Sequence, residues 1–290
     1  MTYSVALDWI SFTLKGLADE TGLLRLLTPD GEIHPITPRN GYTTACSSNI
    51  GVQFHSNTNR PEMGIHVIVA GSSLRMLEEL GTSTRTLLQI AISVHAKVSR
   101  LDLAKDAKNE RISLPSIYSA CERGERTGTA QKVNERRDPD GGHTIYVGSW
   151  HSDNFFRLYN KSAEQNTEGD WFRMELVCKS DVAKTWARVL AEPKADWNAL
   201  LCGKVRKMLN TNVDSYNRWL EGEATEGLPQ IEKRSDREAW IIKQVIPAVL
   251  EHLKNTPNSE AIKLLMSSLN FAVSDRWALI DALDVENKPE

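Results

Sequence analysis

In the stretch from residue 100 to 106, RLDLAKD, polar and apolar residues alternate one by one. A period of two belongs to a strand, and it puts Arg100, Asp102, Ala104 and Asp106 on one face and Leu101, Leu103 and Lys105 on the other. NFFRLYNK (154–161) and DWFRMELVC (170–178) show the same alternation. In the first, Phe155, Arg157, Tyr159 and Lys161 share a side; in the second, Trp171, Arg173, Glu175 and Val177 do. Each predicted strand therefore offers one side to a core and carries charge on the other.

Three earlier segments, VALDWISF (5–12), IGVQFHS (50–56) and GIHVIVAG (64–71), are rich in β-branched and aromatic residues and are bounded by Gly, Asn and Pro, which predicts strands. SSLRMLEELG and STRTLLQIAISVHA place apolar residues at helical spacing, with Ser and Thr as caps and Gly81 as a stop. LPSIYSACERG predicts a short helix beginning near Pro115 and ended by Gly124. TAQKVNER and HTIYVGSW, joined by DPDGG, predict a hairpin. SAEQNTEG reads as a polar loop, SDVAKTWARVL as a capped helix, and KADWNALL as another. The polar run EGEATEGLPQIEKRSD (221–236) reads as a linker, with amphipathic helices beyond it, the first interrupted at Pro247. The expected fold class is α+β: an antiparallel sheet with helices on one face, in a domain spanning 1–225, followed by a helical C-terminal region at 226–290.

The 290 residues are 40% hydrophobic and 25% charged, ordinary for a globular chain. No apolar run approaches the roughly 20 residues a bilayer crossing needs, and the opening MTYSVALDWISFT lacks the features of a signal peptide. The expectation is a cytoplasmic protein with no membrane partner. Cys46, Cys121, Cys178 and Cys202 lie far apart and form no metal-knuckle or redox spacing. The net charge of −3 gives no global basic signature, yet between Lys97 and Lys161 twelve Lys and Arg stand against nine acids. Some of those acids are the strand carboxylates, so a metal neutralising them would leave the middle of the chain positive.

If the charged sides share a sheet face, Asp102, Asp106 and Glu175 gather as oxygen donors, with Tyr159, Lys161, Arg157 and Arg173 around them. Hard divalent ions such as Mg²⁺ or Mn²⁺ favour such donors, above all where a phosphate completes the shell. A phenol beside that ion suits phosphoryl transfer through a covalent phosphotyrosine, provided a cation such as Lys161 favours the phenolate. The same alternation also describes any half-solvated sheet with cross-strand ion pairs. On the pattern alone both readings stand.

The segments RLDLAKD, TIYVGSWHSDNFFRLYNKSAEQ and WFRMELVCK, in this order and at these distances, resemble the replication initiation factor family of rolling-circle plasmids and filamentous phages, with related relaxases of conjugative elements. The opening LDWISFT resembles the phage members, and the likeness spans roughly residues 5–219. It implies a metal-dependent endonuclease and strand transferase. Its tyrosine nicks one origin strand, leaves a 5′-phosphotyrosine and a free 3′ hydroxyl primer, and later rejoins the strand. Carried over by position, the likeness makes Asp102 and Glu175 metal ligands with Asp106 a third. Tyr159 is the nucleophile, with Tyr146 the alternative, and Lys161 and Arg157 are supporting cations. The implied partners are single-stranded or hairpin origin DNA, a host helicase and a second copy in a homodimer, in the cytoplasm of a bacterial host.

Two positions depart from the family pattern. Trp150 follows the Gly148-Ser149 pair where Arg is usual, and Ala163 stands where plasmid members often carry a second tyrosine. No HxH occurs, so a histidine-pair metal site is not expected; His143 and His151 read as surface or hydrogen-bonded residues. Trp150 and Trp171 are candidates for stacking on bases. Arg123, Arg126, Lys132, Arg136 and Arg137 are candidates for holding a duplex or hairpin. A relaxase and a non-cleaving DNA-binding regulator are the alternative functions.

Overall fold

Period-two segments that are apolar on one side can bury that side only by pairing into a sheet, and here they form one antiparallel sheet of ten strands. The structure is a computed structural model and describes residues 5–15, 22–139 and 141–220. In chain order the elements are β1 (Val5–Leu14), α1 (Leu23–Leu27), β2 (Ile33–Pro35), β3 (Thr44–Ser48), β4 (Gln53–Ser56), a 3₁₀ turn (Pro61–Met63), β5 (Ile65–Ala70), α2 (Gly71–Glu79) and α3 (Thr84–Ser93). There follow β6 (Lys97–Lys108), α4 (Leu114–Glu122), β7 (Arg126–Thr127), β8 (Val133–Arg137), β9 (His143–Val147), β10 (Asn154–Asn160), α5 (Lys161–Gln165) and β11 (Trp171–Lys179). The last described elements are α6 (Ser180–Ala191), α7 (Trp197–Met208), β12 (Asn210–Thr211) and α8 (Asp214–Trp219).

The strand order is β2-β3-β4-β5-β1-β6-β11-β10-β9-β8, and β7 and β12 pair separately. The RLDLAKD strand, β6, thus lies at the centre, between β1 and β11. Its apolar side joins Leu101 and Leu103 to Phe156, Leu158, Met174 and Leu176 of the neighbouring strands and to Trp186 and Leu190 of α6. Burying side chains of this size is worth about 1.5–3 kcal/mol each, which fixes the register of every strand whose alternation feeds that core. Lys105 is the exception on this side. It is wholly buried, with Nζ 3.3 Å from Cys202 Sγ.

Two bulges interrupt the central pair. Leu7 faces Leu103 while Trp9 faces Asp102, so Asp8 is an extra residue on β1; Ser11 faces Arg100 while Phe12 faces Val98, so Ser99 is an extra residue on β6. Each re-aims the polar residues beside it without disturbing the core positions.

Several local readings change. Strand β10 ends at Asn160, whose side chain accepts a hydrogen bond from the Ala163 amide, so SAEQNTEG begins as helix and Lys161 opens that helix instead of extending the strand face. Helix α6 has no side-chain cap: Lys179 holds the cap position, and Ser180, at φ 52°, is already its first residue. By contrast Ser83, Ser113 and Asp196 do cap α3, α4 and α7. The short α1, β2, β3, β7, β12 and α8 have too few residues to show a period. The expected linker and the C-terminal helical region lie outside the described residues.

Candidate active site

The strand register settles which polar residues meet. Glu175 on β11 faces Ala104 on β6 and Arg157 on β10; Arg173 faces Asp106 and Tyr159; Asp102 faces Val177 and Trp9. Asp102 and Glu175 are therefore diagonal neighbours on one face, with the small Ala104 directly opposite Glu175.

Both carboxylates are almost wholly buried, Asp102 at 2% exposure and Glu175 at 1%. Each has a guanidinium partner. Arg100 donates through Nε to Asp102 Oδ1 at 2.9 Å and through Nη2 to Oδ2 at 2.5 Å, with its guanidinium 4.9 Å over the Trp9 ring. Arg157 Nη2 donates to Glu175 Oε1 at 2.5 Å, and the Tyr159 hydroxyl donates to Glu175 Oε2 at 3.1 Å. A third guanidinium, Arg173, grips Asp106 through two bonds of 2.7 and 2.8 Å and reaches Asp8 at 2.9 Å. Four carboxylates thus stand against three guanidiniums, and the buried ones, Asp102, Glu175 and Arg173, are the ions that most need partners.

The electrostatics follow first from burial and then from the neighbouring charges. Burial pushes the Asp102 carboxyl up to about 7, against the lowering effect of Arg100 and with a further push from Glu175. Tyr159, 5% exposed, is pushed well above the ordinary phenol value by burial and by the charges of Glu175 and Glu164, with Arg173 and Arg157 acting the other way. In this arrangement the phenol is un-ionised at neutral pH and holds its proton toward Glu175.

Of the residues expected at the site, the structure brings together Asp102, Glu175, Tyr159 and Arg157. Asp106 lies on the same face, but both its oxygens go to Arg173, two residues along β11. Lys161 ion-pairs with Glu164 while its Nζ lies 5.5 Å from the Tyr159 ring centroid, so it sits at the rim of the phenol. Tyr146, the alternative nucleophile, faces Arg157 across β9 and β10 and stacks on Trp150 with centroids 4.6 Å apart. Trp150 is 55% exposed. Trp171 is instead half-buried beneath Lys108, 4.4 Å over its ring.

Arg123, Arg136 and Arg137 pair with nearby Glu125, Asp138 and Glu135, and Arg126 donates to the Ala130 and Gln131 carbonyls. His143 bonds Glu135 at 2.6 Å. Sequence reasoning passed over Asp8 and the pairing role of Arg100. The signal for Asp8 was present, since Leu7 and Ile10 are three apart where strict alternation requires two, which marks a bulge.

Among the described residues, no group of three or more His, Cys, Asp or Glu is arranged to hold a metal ion. Asp102 and Glu175 nonetheless fit a hard divalent ion. They are adjacent buried oxygen donors, and burial raises one of them, Asp102, to about 7. Asp106 has both oxygens on Arg173 and lies further along the face; Asp102 likewise has both on Arg100, and Glu175 has its two on Arg157 and Tyr159, so an ion held there would displace those partners.

A ten-stranded antiparallel sheet, helices on one face and a buried array of carboxylates, guanidiniums and a phenol on the other define an α+β protein with a candidate catalytic face. Residues 96–226 match the profile of the replication initiation factor family. That segment, somewhat less than half of the chain, contains every residue of the array except Asp8 and Trp9. A Bacillus subtilis (strain 168) protein provisionally named DNA relaxase NicK is 28% identical over 149 residues, a match covering 45% of this chain and 42% of that relative. The match therefore spans less than half of the relative's length. A solved structure of a rolling circle replication initiator protein from Geobacillus stearothermophilus shares the fold, with TM-score 0.63 and 20% identity over 78% of this chain and 93% of that one.

Proposed function

We propose that the chain initiates rolling-circle replication by nicking one strand of an origin through Tyr159. The observation that carries this reading is the hydrogen bond from the Tyr159 hydroxyl to Glu175 inside the Asp102, Arg157 and Arg173 array. A sheet surface needs no phenol buried against a carboxylate, whereas a phenol that must lose its proton does.

In this reaction the phenol proton passes to Glu175 Oε2, and the phenolate oxygen attacks phosphorus. The bond from phosphorus to the 3′ oxygen breaks, and that oxygen takes a proton from solvent to become the free hydroxyl. The 5′ phosphate stays esterified to Tyr159, so the strand can be rejoined by the reverse attack. Arg157 supports the step: its Nε is buried without a hydrogen-bond partner, a donor ready for a phosphate oxygen. Asp102 and Glu175 are the residues that would hold Mg²⁺ or Mn²⁺. When bound, the ion supplies positive charge against the scissile phosphate and offsets the carboxylate charge that raises the phenol. Trp150, exposed and stacked on Tyr146, offers a base-stacking surface worth about 1–3 kcal/mol. In a bacterial cytoplasm the free 3′ hydroxyl would be extended with the help of a host helicase.

The relative named as a relaxase favours a second reading, in which the same chemistry acts on an origin of conjugative transfer. The deciding experiment incubates the protein with Mn²⁺ and labelled single-stranded origin DNA on a denaturing gel, comparing wild type with Tyr159→Phe. A metal-dependent covalent adduct absent from the variant is expected. Cleavage without an adduct would mean a water nucleophile, and an adduct surviving in the variant would move the role to Tyr146. Binding without cleavage would mean a non-cleaving regulator, and a transfer origin cut in preference to a replication origin would mean a relaxase.

A further inference from the structure

The sheet order reads the same from both edges. From the centre outwards, one side runs β1-β5-β4-β3-β2 and the other β6-β11-β10-β9-β8. Apart from the two-residue β7, which pairs with β12 outside this sheet, each side is built in the same chain order: a long strand, a helix, three strands, a short helical turn, a fifth strand, then two helices. In both, the first of those two helices starts at the residue directly after the fifth strand, Gly71 after Ala70 and Ser180 after Lys179.

The register repeats as well. Counting back from those helices, His66 matches Glu175, and their partners on the long strands are Thr13 and Ala104. Likewise Ile68 and Val177 face Ser11 and Asp102, while Ala70 and Lys179 face Trp9 and Arg100. A two-fold relation then requires that, if Trp9 faces Asp102, Arg100 must face Ser11; both pairs occur. It also maps the bulge at Asp8 onto the bulge at Ser99. One strand further out, His55 faces His66 as Arg157 faces Glu175.

The position matching the carboxylate site therefore carries Ser11 for Asp102, Thr13 for Ala104, His66 for Glu175, His55 for Arg157 and Asn57 for Tyr159. Every carboxylate and the phenol are gone from it. In their place Thr13 Oγ1 lies 3.1 Å from His66 Nδ1, the two imidazole rings are 6.4 Å apart, and Tyr42 stacks on His66 at 5.7 Å. His55 Nδ1 is buried with no hydrogen-bond partner. Burial lowers the affinity of both rings for protons, and the Arg39 charge near His55 adds to it. A set with hydroxyls, imidazoles and an arginine but no carboxylate suits an anion, where its counterpart suits a cation.

We propose that the chain is an internal duplication whose N-terminal half retains a second, non-cleaving site, formed by Thr13, His55 and His66, for a phosphodiester of the same DNA. The proposal rests on the DNA-nicking reading above. The two sites lie on one face, about 14 Å apart across three strand spacings and about 20 Å apart along the strands. That separation matches on the order of seven nucleotide steps of duplex backbone. A two-fold pair of sites presents matching geometry to backbones of opposite polarity, and only one site can cut.

The test is a methylphosphonate scan on wild-type protein with hairpin origin DNA, each substitution removing one phosphate charge, read by fluorescence anisotropy. Two groups of interfering positions are expected, one at the nick and one on the order of seven steps away. In the His55→Gln/His66→Gln variant the distal group should vanish and affinity for the full hairpin fall about tenfold. Nicking of a short oligonucleotide ending before the distal position should be unchanged. Adduct formation with interference only at the nick, or distal interference that persists in the folded variant, overturns the second site while leaving Tyr159 chemistry standing. A wild type that neither binds nor nicks the hairpin overturns both. If the variant fails to fold, the wild-type scan alone decides.

Discussion

The two halves of the sheet face solve the same geometric problem with opposite chemistry. Around Glu175 the face is ionic: buried carboxylates, guanidiniums placed against them, and a phenol held un-ionised by burial and by the charge it touches. Around His66 it is neutral, with an imidazole, a hydroxyl and a stacked ring. The backbone does not distinguish them, since register, bulges and helix starts all correspond. A buried ionic array costs desolvation that its pairing only partly returns, so it persists where the charges are put to use. The neutral half is what this sheet face looks like without that demand.

The largest expected effect comes from breaking the ionic half. Glu175→Ala leaves Arg157 and Tyr159 without their shared acceptor and should destabilise the domain by about 3–5 kcal/mol, the usual penalty for stranding a buried charge. Urea denaturation compared with wild type measures it. A loss below about 1 kcal/mol would mean that the pairing seen here contributes little and that the ionic half is no more specialised than the neutral one.

How much of this contrast was legible in the sequence depends on the element. The alternation in RLDLAKD, NFFRLYNK and DWFRMELVC gave the faces of β6, β10 and β11, because a buried apolar side leaves one register open. It placed Asp102, Glu175, Arg157 and Tyr159 together. It misplaced Lys161, because an Asn160 cap turns the chain into a helix one residue earlier than the pattern suggests. It grouped Asp106 with the other two carboxylates because spacing along a strand does not reveal that Arg173 takes both its oxygens. The neutral half went unread as a site, since histidine and threonine on a strand carry no periodic charge signal. Only the paired registers reveal their correspondence to Glu175 and Ala104.

A smaller effect concerns pH. The Asp102 carboxyl is held near 7 when folded, against 3.8 ordinarily, so between those values the folded chain keeps a proton that the unfolded chain has lost. Stability from this group is therefore present at low pH and falls as pH rises from about 4 to about 7, by at most about 1.4 kcal/mol per pH unit. Asp102→Asn removes the titration and should flatten that part of the stability profile relative to wild type. Mn²⁺ held by Asp102 should act on the wild type in the same window, displacing the proton and raising the melting temperature more at pH 7 than at pH 5. An unchanged slope in the variant would place the proton elsewhere in the array.

The smallest effect should be found at the matching position in the neutral half. His66→Ala removes one hydrogen bond to Thr13 and a stacked ring from a half-buried site, and no charge is left unpaired because His55 is held neutral by its surroundings. A neutral hydrogen bond contributes about 0.5–1.5 kcal/mol and the ring contact a similar amount, so the total should stay near 1–2 kcal/mol, below the Glu175 value. Because Glu175 and His66 occupy equivalent backbone positions, local strand propensity and register largely cancel between the two truncations. Their difference isolates the charge itself. Equal losses in urea would mean that burial depth, not ionic pairing, sets the energetics of this face.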